Sequence, residues 1–508
     1  MSHDALHPET ANGEPIERHD EVDLGSSDSE GMQERLEVIF DKKDAQRRRA
    51  SLVPEGRPSR PSNKRQKTGC ILHAMLEGRV KEGQFTPNQA GMSASQPTDK
   101  SPPELVEDVD ESKESRLLTK KQLSDMAAHV RNLSKKLSHV RLKLNVRNVF
   151  ILTKAHDQTL IGKTREMANW LLHSKNPEGH PYIVWVEETM RNSTCFNADS
   201  LTSQDPTAKD RLRYWTNELC RKRPHTFDIA VCLGGDGTVL YASWLFQRVP
   251  PPVMSFALGS LGFLTKFDFD HHADILTRAV SEGVTVSLRL RFEGTIMRSQ
   301  RRESEEQQNS RDLVEELIGD LAGDATSHRP DGVHNIMNDI VLDRGPNPTM
   351  SGIEMFGDDE HFTTVQGDGV CVATPTGSTA YNLAAGGSLC HPENPVMLVT
   401  AIAPHTLSFR PIILPDTTVL RLGVPYDARA SCWASFDGKE RSELKPGDYV
   451  TISTSRFPFP TVLPLERKGE DWVDSISRTL NWNNRQRQKA FDDLKKTASE
   501  VQHKADVV

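Results

Sequence analysis

The chain has 508 residues, of which 36% are hydrophobic, and its formal net charge at pH 7 is -8. The low hydrophobic share predicts that part of the chain does not fold. The acidic excess argues against a general nucleic-acid binder, which needs positive charge against phosphates. There is no apolar run of about 18 residues, so we expect no membrane span and no membrane partner. An acidic N-terminus without an apolar stretch favours a cytoplasmic location, and seven cysteines without a CxxC pair indicate no zinc site and no disulfide framework.

In chain order, residues 1–115 are predicted to be disordered, because they are rich in Ser, Pro and charged residues and poor in aromatic ones. Helical spacing then predicts an amphipathic helix whose buried face carries Met126, Val130, Leu133, Leu137 and Val140. Apolar runs predict strands at 147–152, 182–187 and 227–233. The segments between and after these strands predict a helix at 159–174 and a second helix that ends near 247. Strands that alternate with helices are typical of a parallel, doubly wound sheet, so we predict an α/β domain over 116–268.

After about residue 270 the pattern changes. Short apolar or alternating runs separated by Gly, Pro and Asp are typical of a mostly β domain, which we assign to residues 269–465. An acidic insert at 299–332 separates its first two runs, and we interpret this insert as a solvated surface loop. A C-terminal segment at 466–490 and a charged tail at 491–508 complete the chain.

The first candidate site is Gly234-Gly235-Asp236-Gly237-Thr238, here called the GGDGT loop, which follows the third predicted strand and precedes a helix. Glycines let a phosphate approach the backbone closely, and a helix N-terminus offers N–H groups to it. A carboxylate at this position makes sense if Asp236 accepts a proton from an attacking hydroxyl or holds a divalent cation against phosphates. The alternative is a tight turn in which Asp236 caps the helix.

Two further strings are candidates for nucleotide contact. The first is GDGV (367–370) followed by TPTGSTAYNLAAGG (374–387), whose hydroxyls and small residues predict a surface of donors for a phosphate or a ribose. Its alternative is an ordinary polar turn that caps a helix. The second is the pair Asn338 and Asp339, because an amide beside a carboxylate can hold the two vicinal hydroxyls of a ribose. By itself such a pair is more often a plain loop.

Together these strings closely resemble the ATP-NAD kinase family, and the match is collinear. It runs through GGDGT, LGSLGFL (258–264), NDIVLDRG (338–345), TPTGSTAY, APHTLSFRP (403–411) and SFDG (435–438), within a resemblance that covers about 147–490. The resemblance implies an enzyme that transfers the γ-phosphate of ATP to the 2′-hydroxyl of the adenosine ribose of NAD or NADH, with magnesium as cofactor. It also implies a Rossmann-like N-terminal domain and a β-rich, β-sandwich-like C-terminal domain that binds NAD. The 466–490 segment would pack back on the N-terminal domain, and the chain would form a homo-oligomer.

Carried over motif by motif, the resemblance implies that Asp236 is the catalytic carboxylate. It implies that Gly234 and Gly235 lie against the ATP phosphates and that Thr238 is a further binding residue. The residues that it implies for the dinucleotide are Gly237, Phe263, Asn338, Asp339, Asp368, Thr376, Thr379, Ala380, Tyr381 and Ala403. Bacterial relatives commonly have Glu where this chain has Asp339, and we expect the shorter side chain to be tolerated because both are acceptors with similar pKa.

Two other functions fit part of the pattern. A lipid or sphingoid-base kinase shares the GGDG string, but it would need an acyl channel or a membrane-binding surface, for which the sequence has no obvious signal. A catalytically inactive NAD(P)-binding regulator would be expected to have lost Asp236 or the glycine loop, and both are intact. The sequence does not distinguish NAD from NADH, or ATP from polyphosphate as the donor.

Overall fold

The structure is a computed structural model that describes residues 114–154, 157–203, 205, 207–259, 261–300, 311–319, 327–464 and 471–480. The predicted disorder of residues 1–115 lies outside these described residues as far as residue 113, and so does the predicted charged tail. The prediction is wrong for Ser115, which is fully buried and bonded to Glu293. The helices are α1 (Lys120–His139), α2 (Gln158–His173), α3 (Ala198–Thr202), α4 (Ala208–Arg211), α5 (Asn217–Lys222), α6 (Asp236–Leu245), α7 (His272–Glu282), α8 (Leu313–Leu317), α9 (Tyr381–Ala384) and α10 (Asp471–Leu480). Within the described part of the chain, no helix is long and apolar enough to cross a membrane.

Eight strands of the described residues form the first sheet. They are β1 (Asn148–Thr153), β2 (Ile183–Glu187), β3 (Leu212–Trp215), β4 (Ile229–Gly234), β5 (Val253–Ala257), β6 (Phe267–Asp268), β7 (Thr285–Arg289) and β20 (Phe459–Leu463). Their order is β3-β2-β1-β4-β5-β20-β7, with β6 paired to β5, and every pair is parallel except β20 with β7. The chain order changes direction between β1 and β4, and ligands bind at such a point, outside the carboxyl ends of the strands. The GGDGT loop begins there, at the end of β4.

The remaining strands form two six-stranded antiparallel sheets. They are β8 (Phe292–Ser299), β9 (His328–Ile336), β10 (Asp339–Asp343), β11 (Ser351–Gly357), β12 (Glu360–Gly367), β13 (Gly369–Ala373), β14 (Val396–Ile402), β15 (Ile412–Pro415), β16 (Leu420–Gly423), β17 (Cys432–Phe436), β18 (Glu440–Leu444) and β19 (Tyr449–Thr454). The sheet orders are β15-β14-β13-β10-β17-β18 and β12-β11-β16-β19-β8-β9. Side chains from both sheets, such as Phe292 and Ile340, share one core, so the pair is a β-sandwich.

The predicted fold class is therefore confirmed: a Rossmann-like α/β part is combined with a β-sandwich-like part. The sheets do not follow the proposed boundary at 268/269. β7 and β20 lie after that boundary in sequence but pair in the first sheet, so the chain crosses to the sandwich after β7 and returns before β20.

The first long helix differs in one detail from its prediction. Thr119 and Gln122 form a reciprocal capping box at its start, which satisfies N–H groups that have no partner within the helix. Its buried residues are Leu123, Ala127 and Leu137, whereas Val140 is 48% exposed. The assignment of Val140 to the buried face is wrong, because the helix ends at His139.

The acidic insert also differs from its prediction. Residues 311–319 are folded, and Leu313 and Leu317 of α8 are buried in a cluster with Phe356 of the sandwich. The guanidinium of Arg311 donates to both carboxylate oxygens of Glu316, at 2.7 and 2.9 Å, and both side chains are almost fully buried. The interpretation of this part of the insert as a solvated loop is therefore wrong, because its apolar residues cover the sheet.

Candidate active site

The GGDGT loop connects a fully buried strand to the N-terminus of α6. All six residues of β4 are buried, and Gly235 is the N-cap of α6, with no side chain bonded to the first N–H groups of the helix. Gly234 has φ +147°, and a Cβ there would lie 2.5 Å from the Thr238 hydroxyl oxygen, so only glycine fits. Gly235 and Gly237 are exposed. The helix N-terminus therefore presents N–H groups and positive dipole to an anion.

The Asp236 carboxylate joins this loop to the LGSLGF loop (258–263). One carboxylate oxygen accepts from the N–H of Phe263 at 2.9 Å, and the other accepts from Leu264 and Thr265 at 2.9 and 3.1 Å. Gly262 lies so close that a Cβ on it would be 2.2 Å from the carboxylate. The alternative interpretation of Asp236 as a helix cap is wrong, because its side chain binds the neighbouring loop instead of its own helix.

The Asn338–Asp339 pair lies where the sandwich meets the first sheet. Met337 is fully buried in the same cluster as Leu264 and the α6 residues Val239 and Ala242. Met337, next to Asn338, thus shares a core with Leu264, the residue that follows the LGSLGF loop. The structure therefore brings the first and third sequence motifs to one region, although about 100 residues separate them along the chain.

The TPTGSTAY turn packs directly against the same pair. The N–H of Thr374 donates to the carbonyl of Asn338 at 2.9 Å. The hydroxyl of Thr374 donates to the carbonyl of Met337 at 2.5 Å. Gly377 approaches so closely that a Cβ on it would lie 2.1 Å from the Asn338 carbonyl oxygen. This turn fixes the backbone of Asn338 from one side.

The hydroxyls of this turn are not all available to a ligand. Thr374 and Ser378 are fully buried, and Ser378 both donates to the carbonyl of Cys390 and accepts from its N–H, each at 3.0 Å. The prediction of a hydroxyl-rich binding surface is wrong for these two residues, because their hydroxyls satisfy buried backbone groups. Thr376 is 7% exposed, whereas Thr379 is partly exposed.

Asp339 is a buried carboxyl with an unusual pKa. Burial, and then the charge of Asp437, raise the pKa of Asp339 to about 7, although an N–H bond from Tyr381 acts in the opposite direction. The raised pKa favours the protonated form of this carboxyl relative to an exposed aspartate. This group can accept a hydrogen bond from a hydroxyl in one protonation state and donate one in the other.

Two of the predicted dinucleotide residues lie apart from the others. Asp368 and Ala403 are neighbours, since the N–H of Asp368 donates to the carbonyl of Ile402, and Asp368 forms a 2.8 Å ion pair with Arg344. They stand at the start of β13, whereas the Asn338–Asp339 pair and Thr376 are at its end. Five residues of extended strand span about 17 Å. Tyr381 is 46% exposed; burial raises its pKa, and the nearby groups of Asp343, Cys371, Asp339 and Asp368 add to this effect in that order.

The last described helix covers one side of this region. The hydroxyl of Ser475 in α10 donates to the carbonyl of Gly262 at 3.4 Å. The ring of Trp472 lies 5.2 Å from the ring of His391, edge to face. α10 thus contacts both the LGSLGF loop and the segment after the TPTGSTAY turn.

Several residues near the site had no assigned role in the sequence interpretation. Thr265 accepts from the N–H of Gly262 at 2.8 Å, and the guanidinium of Arg289 in β7 lies 3.5 Å from the Thr376 hydroxyl. Asp437 accepts from three N–H groups of the Asn338 segment. SFDG was a visible motif for Asp437, but lone Thr and Arg residues carry no such signal.

Among the described residues, no group of three or more His, Cys, Asp or Glu side chains could hold a metal ion. The acidic ligand nearest to the helix N-terminus is Asp236, which already accepts three N–H bonds. Mg²⁺ is often held by one or two carboxylates together with substrate phosphates. This region therefore suits a cation that arrives with a triphosphate better than a metal held by protein ligands alone.

Comparison with known proteins finds similarity over both parts of the fold. The family model of the ATP-NAD kinase N-terminal domain matches residues 149–284, and that of the C-terminal domain matches residues 337–463. The chain is 42% identical over 390 residues to the NAD(+) kinase of Saccharomyces cerevisiae, covering 76% of this chain and 70% of that protein. It is 38% identical over 382 residues to the ATP-NADH kinase YEF1 of the same organism, covering 75% of this chain and 73% of that protein.

A solved structure is also similar. The crystal structure of yeast NADH kinase complexed with NADH superposes with a TM-score of 0.52 and 29% sequence identity. The match covers 68% of this chain and 90% of that one. The similarity therefore extends over the first sheet and the sandwich together.

Proposed function

Because the chain belongs to the ATP-NAD kinase family, we propose that it transfers phosphate where the first sheet meets the sandwich. It is a phosphotransferase whose substrates are ATP and NAD or NADH, and its product is NADP or NADPH. The observation that supports this location is the Asp236 carboxylate, which joins the GGDGT and LGSLGF loops beside the Asn338–Asp339 pair. No observation in the described residues favours a lipid kinase or an inactive regulator.

The ATP phosphates lie against the GGDGT loop in this proposal. Gly234, Gly235 and Thr238 surround the start of α6, whose first N–H groups have no side-chain cap. Those N–H groups and the helix dipole favour bound negative charge. The triphosphate therefore lies with its γ-phosphate near Asp236.

The dinucleotide lies against the sandwich side of the same region. Gly237 and Phe263, next to Asp236, are at least partly exposed, and so is Asn338. The further proposed contacts are Asp339, Thr376, Thr379, Ala380 and Tyr381, which the TPTGSTAY turn brings together. Because Asp339 has a pKa of about 7, it can bind a ribose hydroxyl as donor or as acceptor.

Asp236 acts as the proton acceptor. The ribose 2′-oxygen forms a bond to the γ-phosphorus of ATP, and the bond from that phosphorus to the β,γ-bridging oxygen breaks to release ADP. The hydroxyl proton passes to the carboxylate of Asp236. One Asp236 oxygen accepts from Leu264 and from both the N–H and, at 3.4 Å, the hydroxyl of Thr265. The other accepts from Phe263, which leaves one of its two acceptor positions for the ribose hydroxyl.

Magnesium is the proposed cofactor. It would be held by ATP phosphates with Asp236 as the nearest carboxylate, and it would neutralise charge on the phosphates. Titration of activity with EDTA and then with Mg²⁺ tests this proposal. Full activity with ATP in the absence of any divalent cation would contradict it.

We propose that the chain forms a homo-oligomer. Asp368 and Ala403 lie apart from the Asn338 group within one chain. In an oligomer, Asp368 and Ala403 of one copy would contact the dinucleotide that is bound to the Asn338 group of another copy, so their separation supports this proposal. Light scattering during size-exclusion chromatography should give a mass of at least twice 56.8 kDa. A monomer that is fully active at assay concentration would contradict the proposal.

A cytoplasmic location is also proposed. The six cysteines of the described residues are free of disulfides, and five of them are buried, which suits a reducing compartment. A fluorescent fusion of the full chain tests the location. Its accumulation in an organelle or in the medium would contradict it.

The decisive assay of function combines the purified chain with Mg²⁺, ATP and either NAD or NADH. NADP or NADPH is measured with a coupled dehydrogenase. We expect product only when ATP and a dinucleotide are both present, and the ratio of the two rates measures the preference for the oxidised or reduced form. Absence of product from both dinucleotides, with folded protein, would contradict the proposed function.

A further inference from the structure

The SFDG motif (435–438) forms a tight hairpin turn between β17 and β18. Asp437 and Gly438 both have left-handed backbones, with φ +50° and +62°, and the N–H of Lys439 donates to the carbonyl of Phe436 at 2.9 Å. Phe436 pairs with Glu440, so this connection has three residues, and the two central positions of its β-turn favour Asp or Asn followed by Gly because both have positive φ. A turn-forming role alone would therefore account for the residue type at 437.

The side chain of Asp437 does more than form this turn. One carboxylate oxygen accepts from the N–H of Asn338 at 2.7 Å and of Asp339 at 3.1 Å. The other accepts from the N–H of Met337 at 2.8 Å. The N–H of Asp437 in turn donates to the carbonyl of Asp339 at 3.0 Å. Four hydrogen bonds thus connect one residue to three consecutive residues that lie 98 to 100 positions earlier in the chain.

These bonds lie at the connection between the two sheets of the sandwich, where backbone N–H groups need partners outside a strand. Residues 337–338 connect β9 in one sheet of the sandwich to β10 in the other, so their N–H groups have no partner in a strand. Three consecutive N–H groups that converge on one point form an anion-binding nest, and here the anion is a carboxylate of the chain itself. The TPTGSTAY turn binds the carbonyls of Met337 and Asn338 from the other side.

The carboxylate also sits within a wider buried network of charge. Burial raises the pKa of Asp437 to about 6, while the three N–H bonds and the charge of Arg291 act to lower it. Arg291 donates to the carbonyls of Ser243 and Phe246, at the C-terminal end of α6. The helix that begins at Asp236 and the segment that carries Asn338 are therefore both connected to this pair of charges.

We propose that Asp437 is a positioning residue for the dinucleotide. By holding the N–H groups of residues 337–339, its carboxylate directs the Asn338 and Asp339 side chains to the ribose. This inference rests on the proposed function, in which those two side chains bind NAD. It assigns Asp437 no contact with substrate. Loss of its carboxylate should weaken dinucleotide binding and leave ATP binding unchanged.

The test is Asp437→Asn in the full-length enzyme, with separate kcat and KM measurements for NAD and for ATP. Asn keeps the size and the positive φ but offers one acceptor oxygen in place of two. We expect the KM for NAD to rise at least about tenfold, as for loss of a hydrogen bond to a charged group, and the KM for ATP to change less than about twofold.

The matched control is Asp358→Asn. Asp358 also has a left-handed backbone, with φ +53°, at the hairpin turn between β11 and β12. Its carboxylate accepts from the N–H of Val419 at 3.3 Å and from the ammonium of Lys120 at 2.8 Å. It has a similar structural role away from the Asn338 segment. We expect this variant to keep both KM values within about twofold of the wild type, whatever its stability.

Four outcomes decide the inference. An unchanged KM for NAD in folded Asp437→Asn would overturn the inference. It would also be overturned if kcat fell only in proportion to the fraction of folded protein, with both KM values unchanged. If Asp437→Asn does not fold, Asp437→Gly is measured in its place, because glycine adopts this φ freely. If neither variant folds, the role of Asp437 is in folding alone and the inference is overturned. Titration of NAD by calorimetry gives a readout besides turnover. An inactive wild type that still binds NAD, more tightly than the variant does, would reject the proposed function and keep this inference.

Discussion

At the scale of single residues, the Asp236 carboxylate has two tasks that draw on the same oxygen atoms. It holds the LGSLGF loop through three N–H groups, and it is the proposed acceptor of the ribose proton. A carboxylate that is already fixed by hydrogen bonds needs no rearrangement when the hydroxyl arrives. Because reactive groups that are already held in position lose little entropy on reaching the transition state, such a carboxylate lowers the activation free energy.

Replacement of Asp236 by Asn should remove its ability to accept the proton but keep part of its hydrogen bonding to the LGSLGF loop. We expect kcat to fall by about two to four orders of magnitude, because the amide cannot accept the proton. Thr265→Val is the comparison, since Thr265 is no base but holds both the loop and the carboxylate: its hydroxyl accepts from the N–H of Gly262 at 2.8 Å and donates to Asp236 at 3.4 Å. If this variant loses as much kcat as Asp236→Asn, then holding the loop, and not accepting a proton, is the main task of Asp236.

A second prediction at this scale concerns pH. Glu293 is 4% exposed and accepts from the N–H of Ser115 at 2.6 Å, and burial raises the pKa of Glu293 to about 7. A raised pKa means that the group contributes most to stability below the unfolded-state pKa of about 4.5, and that this contribution is lost as pH rises through about 7.

Glu293→Gln removes this titration and keeps the acceptor for Ser115. The unfolding free energy of the wild type, minus that of the variant, should therefore fall by up to about 3 kcal/mol between pH 5 and pH 8. Urea unfolding at a series of pH values measures this difference. A difference that stays constant, or that rises with pH, would show that the raised pKa is not expressed in the folded protein.

At the scale of elements, two loops from neighbouring strands have to fit against one carboxylate. The LGSLGF loop follows β5 and the GGDGT loop follows β4, and these parallel neighbours end at the same edge of the sheet. Gly262 lets the loops meet, because any side chain would occupy the space of the Asp236 carboxylate.

Gly262→Ala should therefore displace that carboxylate, since its Cβ would lie 2.2 Å from a carboxylate oxygen. We expect kcat/KM to fall at least about tenfold, because small displacements of catalytic groups are costly. Gly352→Ala in β11 is the control, as no atom lies within 4 Å of its added Cβ. Near wild-type activity of Gly262→Ala would show that the loop can move away without affecting the chemistry.

At the scale of the whole molecule, Arg291 stands where the chain leaves the first sheet for the sandwich, between β7 and β8. Its guanidinium is fully buried and donates to the carbonyls of Phe246 at 2.9 Å and Arg248 at 2.6 Å. It also donates to the carbonyl of Phe457 at 2.5 Å, where the chain returns to the first sheet before β20. One side chain thus fixes both crossings and the end of α6.

Arg291→Met should leave these carbonyls buried without partners and lower the unfolding free energy by about 3 kcal/mol or more. Arg278→Met is the control, because the ion pair of Arg278 with Glu282 is about half exposed and such pairs contribute about 0 to 1 kcal/mol. Chemical denaturation compares the two. Equal losses in both variants would mean that the crossings are held by packing and not by this guanidinium.

Much of the first sheet could be predicted from the sequence. β1, β2 and β4, with helices α2 and α6, lie within a few residues of their predicted positions, because apolar periodicity and the glycines after β4 are local signals. The fold class and the kinase function are likewise confirmed. The roles of the individual site residues remain predictions. β3 was not predicted, since a strand of four residues carries too little pattern.

The sequence by itself thus determined the motifs, their order and the class of chemistry, because each depends on neighbouring residues. Only the tertiary structure decided which hydroxyls turn inward, as those of Thr374 and Ser378 do. The tertiary structure also decided which backbone N–H groups donate hydrogen bonds to which carboxylates. The bond from Asn338 to Asp437 spans 99 positions and that from Phe263 to Asp236 spans 27. Such partners are chosen by strand pairing and core packing across the chain, which leave no periodic signal in the sequence.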